Sequence, residues 1–365
     1  MTGMHDMKYR QGGFTLVEMM VAMLLGIMIL LAVSEVFVNN NRTRIEIENT
    51  TRQIENGRYA MQLLESELVN AGFFGEGRGV PFPTNPESIP ACVGAADTSA
   101  TPIESSMGMP IFGGDDSDSD CLARLKAGSN YVAVRRASTC SVGSAGCDAF
   151  RGGEYHLRVS ACRTDTANPP PRIVLANPAD MDSMPVVQTR RCIDLPGEPP
   201  RLAPTYRYLS RLFYVRDDDV LVRAELQRPG EGYQHTALVD GIERLHFEYG
   251  LDDNGDGEVD GFSNPSDPGW AVADWTNVVA VKIWLLARNL EPTPNYVDDR
   301  TYGLGPGGAY SADSDGFDPG FKRQLYVSTV RLNNLAGRRE VPASTPAGEG
   351  ETGGEDDGAD DGAVE

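Results

Sequence analysis

The chain has 365 residues and carries 32 basic against 53 acidic side chains, a formal net charge of −21. That balance excludes a general nucleic-acid-binding surface, because phosphate recognition needs a positive footprint. Forty glycines and 24 prolines beside 40% hydrophobic residues predict a folded core with long, irregular turns.

Residues Met1 to Gly13 form a short polar leader with Lys8 and Arg10 against Asp6. A mostly apolar run follows from Phe14 to Val38, interrupted by Glu18 near its start and Glu35 near its end. About 20 helical residues cross a bilayer core, and a helix satisfies its own backbone there. The basic leader predicts a cytoplasmic N-terminus with the remainder exported. The small-residue pair Gly12-Gly13 lies before the apolar run, so cleavage at it leaves the helix on the mature protein. A plain signal anchor explains neither this glycine pair nor the glutamate five residues into the apolar segment.

The string Gly13-Phe14-Thr15-Leu16-Val17-Glu18 resembles the class III signal of type IV pilins and type II secretion pseudopilins. The resemblance implies cleavage after Gly13 by the prepilin peptidase, N-methylation of Phe14, and Glu18 as the fifth mature residue. A lone carboxylate in hydrocarbon needs a partner. In a filament of packed helices, the Phe14 amine of a neighbouring subunit supplies one and registers the incoming subunit.

From Asn39 to Ala71 the sequence is polar but periodic. Ile47, Ile54, Met61 and Leu68 recur every seven residues, joined by Leu64 and Ala71, which predicts one apolar helical stripe packed on a head domain. Gly57 weakens the helix locally and predicts a bend. An independent coiled coil fits less well, since Thr50 and Gly57 occupy the companion positions. The run from Arg52 to Met61, continued through Leu68 to Gly75, resembles the PilW-type minor pilins, as do Phe247-Glu248-Tyr249-Gly250 and Val278 to Arg288. This resemblance is strong to Gly75, loose from about Tyr206 to Asn334, and weak from Pro81 to Pro204.

After Gly75 the chain turns Gly/Pro-rich and irregular. Strands are predicted at Tyr131–Arg136, Tyr155–Ala161, Tyr206–Arg216, Val220–Leu226, Leu238–Tyr249, Val278–Ala287 and Gln324–Leu332, with a turn at Arg228 to Gly232. The fold class is therefore α+β and pilin-like: a long N-terminal helix on a mainly antiparallel β-sheet head with large loops. The divisions are leader 1–13, membrane half-helix 14–38, exported amphipathic half-helix 39–75, Cys-rich region 76–204, sheet region 205–340 and acidic tail 341–365. The tail has no aromatic residue and reads as solvated.

Cys92, Cys121, Cys140, Cys147, Cys162 and Cys192 all fall on the exported side, where an even number is compatible with disulfides. Pairing neighbours in sequence, Cys92 with Cys121, Cys140 with Cys147 and Cys162 with Cys192, closes a local loop each time; other pairings stay open. The string Asp252, Asn254, Asp256, Glu258 and Asp260 has the oxygen spacing of a calcium loop, with Glu258 offering its carbonyl. Ser263 stands where a bidentate glutamate belongs, so the two readings are structural calcium on a freestanding loop and a metal-free Asp/Gly turn. Asp313, Asp315 and Asp318 form a shorter echo, and Asp115 to Asp120 a solvated acidic loop.

No HExxH, nucleophile elbow or Walker loop is present, so neither an enzyme nor a catalytic cofactor is expected. The resemblance implies a minor pilin that initiates or caps type IV pilus assembly by noncovalent packing. Its partners would be other minor and major pilins, the prepilin peptidase and the inner-membrane assembly machinery, with no nucleic acid. Location would be the inner membrane with the head in the periplasm, then the pilus or its tip. Alternatives are a minor pseudopilin of a type II secretion system and an adhesion module at a pilus tip.

Overall fold

The computed structural model describes residues 13–75, 92–93, 101–115, 121–160, 162, 172–189, 202–312 and 316–339. The leader before Gly13, Cys192, Asp313, Asp315, most of the 115–120 loop and the tail from 341 lie outside these residues.

Helix α1 runs Leu16–Val69 without interruption, roughly 81 Å at 1.5 Å per residue. Its first half is apolar on all sides and exposed, as a lipid-facing helix must be. Its second half buries Gln53, Gly57, Ala60, Met61, Leu64 and Leu68, spaced three or four apart on one face. The predicted stripe is thus correct from Met61 to Ala71 but not above it: Ile47 and Ile54 are 61% and 38% exposed. The head reaches this stretch, where Lys322 ion-pairs with Glu46 and Gln53 and Gly57 are buried, but it covers the face of those residues and leaves the two isoleucines outside it.

The remaining elements are α2 (Thr101–Ser106), β1 (Ile111–Gly114), β2 (Tyr131–Ala137), β3 (His156–Ser160), β4 (Arg172–Ala176), β5 (Tyr206–Val215), β6 (Val220–Leu226) and β7 (Tyr233–Asp240). They continue through β8 (Ile242–Leu251), β9 (Gly261–Ser263), β10 (Val278–Arg288), β11 (Thr301–Gly303), β12 (Ala309–Ser311), β13 (Arg323–Arg331) and α3 (Asn333–Ala336). All pairings between named strands are antiparallel. Strand β5 is the hub of a seven-stranded sheet: its first residues pair with β3, and the rest lies between β2 and β6, with β7 beyond β6. A four-stranded sheet runs β13-β10-β8-β9, and β11 and β12 form a small ribbon.

The single strand predicted over Leu238–Tyr249 is two strands in two different sheets. They part at Gly241, whose φ is +78° and whose added Cβ would sit 2.7 Å from the Arg288 carbonyl oxygen. A side chain is excluded there twice, by conformation and by space. Val239 and Ile242 on either side of this corner are both buried, because both sheets turn their inner faces into one core with α1. That core gathers Leu64 and Leu68 of α1, Val132 and Phe213 of the larger sheet, and Phe247, Val281 and Ile283 of the smaller. Phe112, Tyr249, Trp270 and Trp275 bridge the sheets, with ring centroids 4.6–5.0 Å apart at the Tyr249–Trp275, Phe112–Trp275 and Trp270–Trp275 contacts.

Candidate assembly helix and acidic loop

Thr15 caps α1 in an extended conformation, and Glu18 completes a capping box with it. Glu18 N donates to Thr15 Oγ1 at 3.2 Å; in return Glu18 Oε2 accepts from Thr15 N at 2.9 Å and Thr15 Oγ1 at 3.0 Å. Among the described residues Oε1 accepts no hydrogen bond. The carboxylate therefore closes the helix start with one oxygen and presents the other. Phe14 precedes the cap and is 84% exposed, so its backbone and ring lie open to a neighbour. Gly13, at the expected cleavage junction, is extended out of the helix. By length and composition α1 suffices to cross a membrane.

The lower half of α1 is fastened to the head by side chains rather than by apolar contact alone. Gln53 Nε2 donates to the carbonyls of Ala287 and Lys322 at 3.0 and 2.9 Å, and Asn56 Nδ2 to that of Asp240 at 3.0 Å. Glu67 accepts from Arg211 Nη1 at 2.6 Å and from Arg136 Nε at 3.1 Å. Arg211 also binds Glu225, which Arg207 joins to Glu154, making a half-buried chain of alternating charge along β5. Burial alone would raise the Glu225 carboxyl, but Arg211, Arg207 and Arg223 together hold it below the ordinary value. The helix continues through Gly57, and the Tyr326 ring lies where its Cβ would be. The glycine is a notch for a ring, a role periodicity cannot reveal.

The acidic string 252–260 is the loop of a hairpin between β8 and β9. Ser263 pairs with Tyr249 and donates its hydroxyl to Asp267. Asp252 is buried; its Oδ1 accepts from Gly255 N at 2.6 Å and Asp256 N at 3.2 Å, and its Oδ2 from Gly257 N at 2.9 Å. Arg339 reaches Asp252 Oδ2 at 3.2 Å. Burial would raise the Asp252 carboxyl, yet these amides and the guanidinium hold it below the usual carboxylate range. Asp260 accepts from Asp253 N and from both nitrogens of Asn254, Asn254 Oδ1 from Asp256 N, and Asp256 Oδ1 from Glu258 N. These carboxylate-to-amide bonds hold the loop in shape. Among the described residues no three His, Cys, Asp or Glu side chains gather as a metal-holding group.

Cys92 is bonded to Cys121 and Cys140 to Cys147, as local loop closure predicts. Cys162 is also disulfide-bonded; Cys192, the expected partner, lies outside the described residues.

A feature with no sequence signal is the buried ion cluster of the smaller sheet. Arg323 donates Nε and Nη2 to the two oxygens of Glu243 at 2.6 and 2.9 Å, and Nη1 to Asp298 at 3.3 Å. Tyr302 donates to the same Asp298, which Arg300 also binds. These charges are far apart in sequence and only the sheet register collects them.

Residues 212–334 match the family model described as type IV pilus-assembly protein W, and residues 8–34 match that of the prokaryotic N-terminal methylation motif. No curated protein matches the sequence. A type IV-like pilin from Thermus thermophilus aligns with 78% of this chain and 98% of its own at 11% identity and a TM-score of 0.33, too distant a likeness to argue from.

Proposed function

We infer that this chain, a PilW-type minor pilin of the type IV pilin superfamily, helps initiate or cap pilus assembly through noncovalent packing. The observation that carries this reading is the division of α1. Its lower half is bound to the head by Gln53, Asn56 and Glu67, while its upper half exposes apolar side chains on every face and ends in a half-used carboxylate. In the inner membrane the exposed half sits among lipid; in a filament, neighbouring helices replace the lipid. Glu18 Oε1 then receives the Phe14 amine of an adjacent pilin, which compensates a carboxylate that hydrocarbon would otherwise penalise.

Processing after Gly13 by the prepilin peptidase creates that amine, and the head lies on the periplasmic side, consistent with its disulfides. The head then selects other minor and major pilins, and the inner-membrane machinery supplies the driving force. Substituting Glu18→Ala tests the scheme. The variant should enter the membrane at least as well as wild type, but cross-link poorly to neighbouring pilins and support few surface pili. Wild-type cross-linking and pilus number would remove Glu18 from the mechanism.

A further inference from the structure

A cavity of about 340 Å³ opens beside β3, away from the assembly helix, between the 3-10 turn Met181–Ser183 and the segment from Leu202 to Thr205. Its walls are largely apolar. Val142, Met184 and Ala203 are buried in them, and Val186 and Leu202 stand at the cavity 62% and 44% exposed. One wall is fixed: Val142 lies within the short loop closed by the Cys140–Cys147 disulfide and donates its amide to the Thr205 carbonyl at 2.8 Å.

Arg158 of β3 lines the same cavity and is only 5% exposed. Its Nε donates to Thr205 Oγ1 at 2.7 Å, and its Nη1 to the carbonyls of Met184 and Pro185 at 3.3 and 3.1 Å. All three acceptors are neutral. Among the described residues no carboxylate pairs with Arg158 and no acceptor meets its Nη2. Two comparably buried arginines differ, Arg136 being paired with Glu67 and Arg323 with Glu243. Burial with nothing to oppose it pulls the Arg158 guanidinium below its ordinary pKa. A buried cation beside an apolar cavity, with donors still unused, is the arrangement of a ligand site: an apolar enclosure with one orienting polar group.

We propose that this cavity binds a small apolar monocarboxylate, its carboxylate on Arg158 Nη2 and its hydrocarbon body against Val142, Met184 and Val186. A single unpaired guanidinium suits one negative charge, and Asp182, exposed at the cavity, disfavours a dianion such as phosphate. The volume is at the small end of ligand pockets, about 300–1,000 Å³, which limits the body to a few carbons. The carboxylate has two sources, a free acid or the chain end of a partner peptide with an apolar last residue.

The test uses the full chain in detergent with labelled methionine methyl groups, so that Met184 reports the site itself rather than partition into micelles. Hexanoate should shift the Met184 signal saturably, while 1-hexanol should bind about tenfold more weakly for want of the charged hydrogen bond. Arg158→Gln should weaken hexanoate by a similar factor, and Val186→Trp, which fills the mouth without touching the arginine, should abolish the shift. If Arg158→Gln loses its cooperative melting transition, Val186→Trp decides alone. Tighter binding of N-acetyl-leucine than of hexanoate assigns the site to a chain end, and the reverse order to a free acid. Equal binding of hexanol and hexanoate, no saturable shift, or an unchanged shift in Val186→Trp would overturn the proposal.

Discussion

Arg323 and His246 show how much the head depends on individual buried polar groups. Removing Arg323 leaves Glu243 as an uncompensated charge in the core and Asp298 with Arg300 alone, so Arg323→Met should cost about 3–5 kcal/mol in urea unfolding of the detergent-solubilised protein. Arg323→Lys should recover part of this, since it keeps the charge but loses the two-point contact with Glu243. His246 is packed over Gly307 and hydrogen-bonded through Nδ1 to Asn130 Oδ1 at 2.9 Å. Burial, reinforced by Arg244, pushes its pKa down to about 4. Above the unfolded-state value of about 6.5 both states are neutral and the folded state loses nothing. As pH falls from there to about 4, the unfolded chain binds a proton that the folded one refuses, so stability declines throughout that window. The full loss is on the order of 3 kcal/mol, and His246→Gln should flatten this part of the stability–pH curve relative to wild type.

At the scale of elements, the joint between α1 and β13 is made by a glycine and a ring. Gly57→Ala gains about 1 kcal/mol of helix propensity but drives a methyl into Tyr326, an overpacking that costs about 1–3 kcal/mol. The expected result is a lower melting temperature for Gly57→Ala, and rescue when Tyr326→Leu is made in the same chain. Additive effects in that double-mutant cycle would show that the two do not meet. Glu67 has a parallel part on the other side of the helix. Glu67→Ala leaves Arg136 without its carboxylate and Arg211 with Glu225 alone, and should loosen α1 from the larger sheet, read as faster amide exchange between Gln53 and Leu68. The sequence marks these residues only as polar positions around a stripe. Which of them touch the head depends on how far the two sheets reach up the helix.

For the whole molecule, the first prediction is processing: peptide mapping of membrane-derived protein should find Phe14 as the first residue, carrying an N-methyl group, and an assembled form that retains Met1 to Gly13 would contradict it. What the sequence determined by itself is everything governed by local spacing. The apolar run before position 38, most long strands and the Arg228 to Gly232 turn follow from periodicity and turn chemistry, and loop closure over short distances favours the two local disulfides. The tertiary structure alone decided that Leu238–Tyr249 is cut at Gly241, that Gly57 receives the Tyr326 ring, and that Ile47 and Ile54 stay outside the head. It alone gathered Glu243, Asp298 and Arg323, and left Arg158 beside a cavity with no ion-pair partner among the described residues. The physical reason is common to all of these: each is a contact between segments tens to hundreds of residues apart, and a local pattern records which face a residue takes but not what that face will meet.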